Sequence, residues 1–293
     1  MTRWCIALAL LAEEPQVILG VLEELRHQDV DHQGLSRGVR AVFEKSGREW
    51  RPFPSSCADE ECLKTITSQY PPTVTWAIAF SGQNLGHVTA ATPKTFEFYS
   101  DIGIQTITSK GRIPTVGERS PAFGGWFRDP LLRPLIADSQ PYYQDPDGWK
   151  PSHPSDRAAA SLRAQFRKKF PTVTNCATPN DAEEKPWPYR DADLKIQKAY
   201  SSVHGWSVVV LVLDRYNCDF QGPGESFEDQ WFAVSPQGDV RFIGHGMWLV
   251  DAGDYDNDGK SEVVFAIDRY NEGGYELFYD DFKGHAVFRF SYH

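Results

Sequence analysis

Four carboxylates, Asp254, Asp256, Asp258 and Glu262, fall within nine residues of the stretch GDYDNDGKSEVVF (253–265). Uncompensated, negative charges this close repel one another. A hard cation removes that repulsion and uses the oxygens as ligands. The pattern is D-x-D-x-D-G-x-x-E. Alternate residues at positions 1, 3 and 5 turn inward on a tight loop. Gly259 at position 6 permits the sharp bend, and the carbonyl of Lys260 joins at position 7. Glu262 closes the set from the first residues of whatever follows. Every donor is oxygen, which favours Ca²⁺ over zinc or copper. An EF-hand would carry an acid at position 12, but that residue is Phe265, and a strand-like apolar run follows. A helix–loop–helix is therefore excluded.

Strands must hold this loop, and the chain supplies them. VRAVFEKSGREWRPF (39–53), VTWAIAFSGQNLGHVTA (74–90), SVVVLVLDRY (207–216), QWFAVSPQGDVRFIG (230–244), EVVFAIDRY (262–270) and YELFYDDFKGHAVFRFSY (275–292) alternate or run apolar as strands do. Ser46-Gly47, Gln237-Gly238 and Lys283-Gly284 sit between strand-like arms as hairpin turns. Residues 111–156 hold too many Pro and Gly for long regular elements. DPDGW (145–149) there has the composition of a β-turn. One helix is predicted over 156–170: Ser155 and Asp156 give a cap signal, and Leu162, Phe166 and Phe170 share a face. Residues 177–194 read as a polar linker.

An internal repeat organises the end of the chain. LVLDRYN (211–217) and FAIDRYN (265–271) match at an offset of 54 residues, Asp214 against Asp268. At that offset YSSVHGWS (200–207) stands opposite DYDNDGKS (254–261). Both copies keep the glycine and the final serine, so the turn forms without three aspartates. Their presence in the second copy needs its own reason. The fold class expected is mainly β, repeat-built and β-propeller-like with an inserted helix. A single domain spans 13–293, and its clearest repeats are 194–246 and 247–293.

DAGDYDNDGKSEVVF (251–265) resembles the calcium loops of FG-GAP repeats, as in integrin α-chain propellers and bacterial proteins related to them. The resemblance implies Asp254, Asp256 and Asp258 as side-chain ligands of Ca²⁺, with Lys260 giving its carbonyl. Glu262 stands where the family usually has Asp. One loop of this type occurs in the chain, whereas integrin-like propellers carry several. The whole chain also resembles exported bacterial proteins ending in a YDNDGKSEVVF loop and an FSYH tail, a likeness that supplies no activity.

Composition bounds the rest. Acids outnumber bases 40 to 30, for a formal charge of -10 and a pI near 5.3, which argues against a nucleic-acid partner. MTRWCIALALLA (1–12) has a basic start and an apolar run and reads as a short secretory signal peptide; a buried N-terminal strand is the alternative. No stretch approaches the length of a membrane span. Loss of the leader would take Cys5 with it and leave Cys57, Cys62, Cys176 and Cys218. An even count in an exported protein suggests disulfides, with Cys57–Cys62 and Cys176–Cys218 the favoured pairing. The histidines form no HExxH pair, and the chain has no GxSxG elbow, phosphate loop or GxGxxG fingerprint. Nine tryptophans and twelve tyrosines serve packing or line a carbohydrate groove. The expected function is a secreted or periplasmic protein with a structural Ca²⁺ and a binding role toward a protein or glycan. The alternative is a secreted hydrolase, acting on glycans, with its active site in the irregular aromatic middle.

Overall fold

The computed structural model describes residues 16–29, 32–124, 130–141, 143–177, 184–216, 218, 227 and 229–292. The leader expected at 1–12 lies outside the described residues. Residues 18–138 supply β1 (Ile18–Asp29), β2 (His32–Ser46), β3 (Glu49–Pro52), α1 (Glu60–Ile66), β4 (Thr73–Phe80), β5 (Gln83–Ala91), β6 (Ile104–Ile107), β7 (Arg119–Ser120), β8 (Leu131–Leu132) and β9 (Leu135–Asp138). The order β1-β9-β4-β5-β6-β2 is antiparallel throughout. Because β1 also pairs along its length with β2, from Ile18↔Glu44 to Asp29↔His32, the six strands close into a barrel. Closure removes the unpaired edges that an open sheet must protect. Strand β3 is a hairpin arm outside the ring, joined to β2 through Gly47 at φ 63°. Inside, Trp76 is fully buried and donates to Gln105 Oε1 at 2.9 Å, while the Gln105 amide donates to Pro71 O and Thr92 Oγ1.

The remaining chain forms two stacked meanders. The first contains β10 (Lys150–Pro151), α2 (Asp156–Lys169), β11 (Val173–Cys176), β12 (Glu184–Trp187), β13 (Leu194–Ser201), β14 (Ser207–Leu213), β15 (Gln230–Val234) and β16 (Val240–His245). Its sheet order is β10-β13-β14-β15-β16, with β11 and β12 paired apart. The second is β17 (Met247–Gly253), β18 (Glu262–Arg269), β19 (Glu272–Tyr279) and β20 (Gly284–Ser291), in sequence order. The matching segments LVLDRYN and FAIDRYN start on β14 and β18, the second long strand of each meander. Helix α2 begins where Ser155 Oγ accepts the Ala158 N–H, and it buries Leu162 and Phe166.

Apolar contacts stack four layers. Helix α2 packs on one face of β13–β16 through Leu162, Phe166, Leu211 and Phe232. The opposite face, with Val208, Val210 and Trp231, meets Val263, Phe265 and Phe278 of the second meander. Residues one position away, Val264, Ala266 and Leu277, face the barrel. Strand β18 is thus apolar on both faces, and period-2 alternation sorts its side chains between two neighbours. The molecule is mainly β with an inserted helix, as expected, but residues 18–138 close into a barrel and do not continue the repeat. The favoured disulfides are both formed, Cys57–Cys62 with Cα atoms 5.4 Å apart and Cys176–Cys218 at 5.0 Å. Among the described residues no helix is long and apolar enough to cross a membrane.

Candidate metal centre

The loop between β17 and β18 is built from its own backbone. Asp258 N–H donates to Asp254 Oδ1 at 2.9 Å and Gly259 N–H to Asp254 Oδ2 at 3.0 Å. Tyr255 N–H donates to Glu262 Oε2 at 2.8 Å. These bonds curl the chain around its acids. The bend requires φ of 57° at Asn257 and 90° at Gly259, the left-handed region that Asn tolerates and Gly adopts freely. The repeat's Gly205, opposite Gly259, has φ 89°, so the glycine's conformation recurs without the acids.

Asp254, Asp256 and Glu262 each present a carboxylate oxygen, and these oxygens lie within 4.8 Å of one another. Asp254 and Glu262 are buried at 1% and 2% exposure. Asp258 is exposed and its Oδ1 accepts the Lys260 N–H at 2.9 Å. The Lys260 ammonium points away, to Asp280 at 2.8 Å and Asp281 at 3.1 Å. So three of the four sequence-predicted acids converge and Asp258 stands at the rim.

Burial raises the Asp254 carboxyl above its ordinary range, and two backbone N–H donors oppose this. Burial pushes Glu262 well up, and the charge of Asp256 adds to it. Three oxygens of one sign, two from groups that burial disfavours as anions, fit a hard cation and no soft one.

One barrel residue that spacing could not reveal reaches the loop. Lys45, near the end of β2, forms a salt bridge to Asp256, with side chains 15% and 4% exposed. Asp138, the last residue of β9, is fully buried; its Oδ1 accepts the Gln140 N–H at 2.8 Å, and its Oδ2 has no donor among the described residues.

The DPDGW turn secures the loop from the other side. Asp145 accepts the Ser261 hydroxyl at 2.6 Å and the Trp149 N–H at 2.7 Å, and Asp147 accepts the Ser261 N–H at 3.0 Å. Asp147 O also accepts the Val203 N–H at 2.7 Å, so one short segment grips the equivalent turns of both meanders. In SSVHG, Ser202 Oγ accepts the Trp206 N–H at 3.1 Å. His204 instead lies 3.5 Å from Asp147, and this serine and histidine belong to a turn.

A cleft of about 850 Å³ opens between the barrel and the second meander. Trp248, Tyr275, Phe290 and Tyr292 line it beside Glu23 and Glu24. Glu23 accepts from Arg40 at 3.0 and 3.1 Å and from the Tyr275 hydroxyl at 2.5 Å. Glu24 accepts from Arg119 at 2.7 and 2.8 Å and from Leu132 N–H at 2.9 Å. Both carboxylates are fully engaged in holding the walls. No protein-family model matches the chain, and no curated protein or solved structure matches it.

Proposed function

We propose that this chain is an exported calcium-binding β protein in which one Ca²⁺ is structural and the role is binding rather than catalysis. The observation that carries the metal assignment is the convergence of the Asp254, Asp256 and Glu262 oxygens within 4.8 Å, two of them on buried groups. In this reading the β17–β20 meander is the calcium-bearing copy of an FG-GAP-type repeat and β13–β16 is its metal-free sister. Asp258 and the Lys260 carbonyl complete the ligand set from the rim. Two disulfides support a secreted or periplasmic location.

The cleft is the binding face, and a neutral glycan is the ligand its lining suits: aromatic rings for sugar faces, beside the paired Glu23 and Glu24. Thermal melts with calcium and with chelator test the metal assignment. At a free ion concentration 100 times Kd the native state gains about 2.7 kcal/mol, a rise in Tm of roughly 5 °C. Coincident melts reject the assignment. Tryptophan fluorescence titrated with neutral oligosaccharides tests the cleft; a response that persists in Trp248→Ala rejects it.

A further inference from the structure

Strand β17 carries an irregularity that sets the direction of one cleft side chain. On β18, Val264 and Ala266 are two residues apart, and both face the barrel. Their partners on β17 are Asp251 and Trp248, which are three apart. In a regular strand, residues three apart point to opposite faces. Here both point to the barrel side: Asp251 accepts the Ser81 N–H at 2.9 Å, and Trp248 packs against the barrel's apolar cluster and lines the cleft. The register shift between Leu249 and Asp251 resolves the conflict, because Val250 is an extra residue without a partner on β18. Met247, Leu249 and Ala252 keep to the face toward the first meander.

Strand β17 is also the outer strand of its sheet, and Arg133, between β8 and β9, reaches its backbone at the bulge. The Arg133 Nη2 donates to Leu249 O at 3.2 Å and to Val250 O at 3.1 Å. Its Nη1 donates to Glu118 Oε2 at 3.3 Å, and its backbone N–H donates to Glu118 O at 2.8 Å, which fastens the arginine to its own segment. The guanidinium lies 5.0 Å from the centre of the Phe80 ring and 5.5 Å from that of Phe123. The Phe123 ring in turn lies 4.9 Å from that of Trp248. One guanidinium thus holds both the backbone that aims Trp248 and the ring that backs its indole.

We infer that Arg133 is a positioning residue of the cleft: it locks the bulge at Val250 and so fixes Trp248 as part of the binding wall, with Phe123 behind it. This inference rests on the cleft reading above and deepens it. A lysine would keep the charge but neither the forked donors nor the planar face that meets two rings.

Fluorine NMR of the whole protein labelled with 5-fluorotryptophan tests this without a ligand. The resonance that disappears in Trp248→Ala is that of Trp248. Arg133→Met should shift or broaden it and leave the remaining tryptophan resonances in place, and Arg133→Lys should displace it less in the same direction. An unmoved Trp248 resonance in Arg133→Met overturns the inference. Displacement of every resonance alike marks a merely structural arginine and overturns it too. Calorimetric titration with cellohexaose, xylohexaose and mannohexaose gives the second readout. For a hexasaccharide that binds, Arg133→Met should weaken binding roughly tenfold, and Arg133→Met combined with Trp248→Ala should bind no more weakly than Trp248→Ala alone, as coupled residues do. Additive losses overturn the inference. No binding of any of the three by the unaltered protein counts against the cleft reading, and the fluorine result then decides the role of Arg133 by itself. Arg133→Lys carries the test should Arg133→Met not fold.

Discussion

The Tyr143 hydroxyl lies 3.1 Å from Asp251 Oδ2, and it also lies 2.6 Å from the carbonyl oxygen of Ala252. One phenol proton cannot serve both acceptors, and the shorter contact takes it. Burial pushes Asp251 up to about 6, against hydrogen bonds from the Ser81 N–H and the Tyr143 hydroxyl that favour its anion. Removing only the hydroxyl, in Tyr143→Phe, strands the Ala252 carbonyl while the ring still covers Gly253. We expect a loss of about 1–3 kcal/mol, read as a lower denaturant midpoint at unchanged slope.

The same carboxyl gives stability a pH dependence. An unfolded Asp titrates near 4 (about 3.9), whereas folded Asp251 titrates at about 6. Between these values the folded state holds more protons, so Asp251 lowers stability as pH rises through the window and has no further effect above it. The span corresponds to about 3 kcal/mol. In Asp251→Asn the Ser81 N–H keeps an oxygen acceptor and the amide donates to Tyr143. Unfolding midpoints from pH 4 to 7 should therefore fall less steeply in the variant; parallel curves would refute the assignment.

The disulfides differ in the chain length they close. Cys57–Cys62 are 5 residues apart and Cys176–Cys218 are 42 apart. Loop-closure entropy predicts about 2 kcal/mol for the first and about 4 kcal/mol for the second. Paired Cys→Ala variants measured by urea unfolding should show the second loss as the larger.

Calcium dependence should grade the loop acids by position. Asp254 is buried and organises two backbone donors, whereas Asp258 is exposed at the rim. The calcium-induced rise in Tm should vanish in Asp254→Ala and persist, reduced, in Asp258→Ala. Equal loss in both would place the two on the same footing and contradict the geometry.

Part of this was legible in the sequence for physical reasons. Alternation marks β4, β5, β19 and β20 because each divides its side chains between two environments. Gly47 and Gly238, at φ 63° and 91°, mark turns that other residues enter with strain. Strand β1 was hidden, since VLEELR favours helix; pairing with β2 on one edge and β9 on the other overrides that preference. Strand β9 is four residues, all buried, too short for a period to show. Helix α1 carried a signal that could have found it: Asp59 caps it by accepting the Cys62 N–H at 2.9 Å. At the metal centre, Asp254, Asp256 and Glu262 follow from spacing because one loop holds them. Lys45 comes from the barrel, and no local pattern reports a contact between such distant segments.

The β17–β20 meander follows both of its neighbours in sequence, yet it lies between them in space. During synthesis the barrel and the first meander emerge while the slab that covers their facing apolar surfaces is still unmade. Chains halted before residue 247 would therefore carry two sticky faces with nothing to hide them, and should aggregate or be degraded instead of accumulating as a shorter folded product.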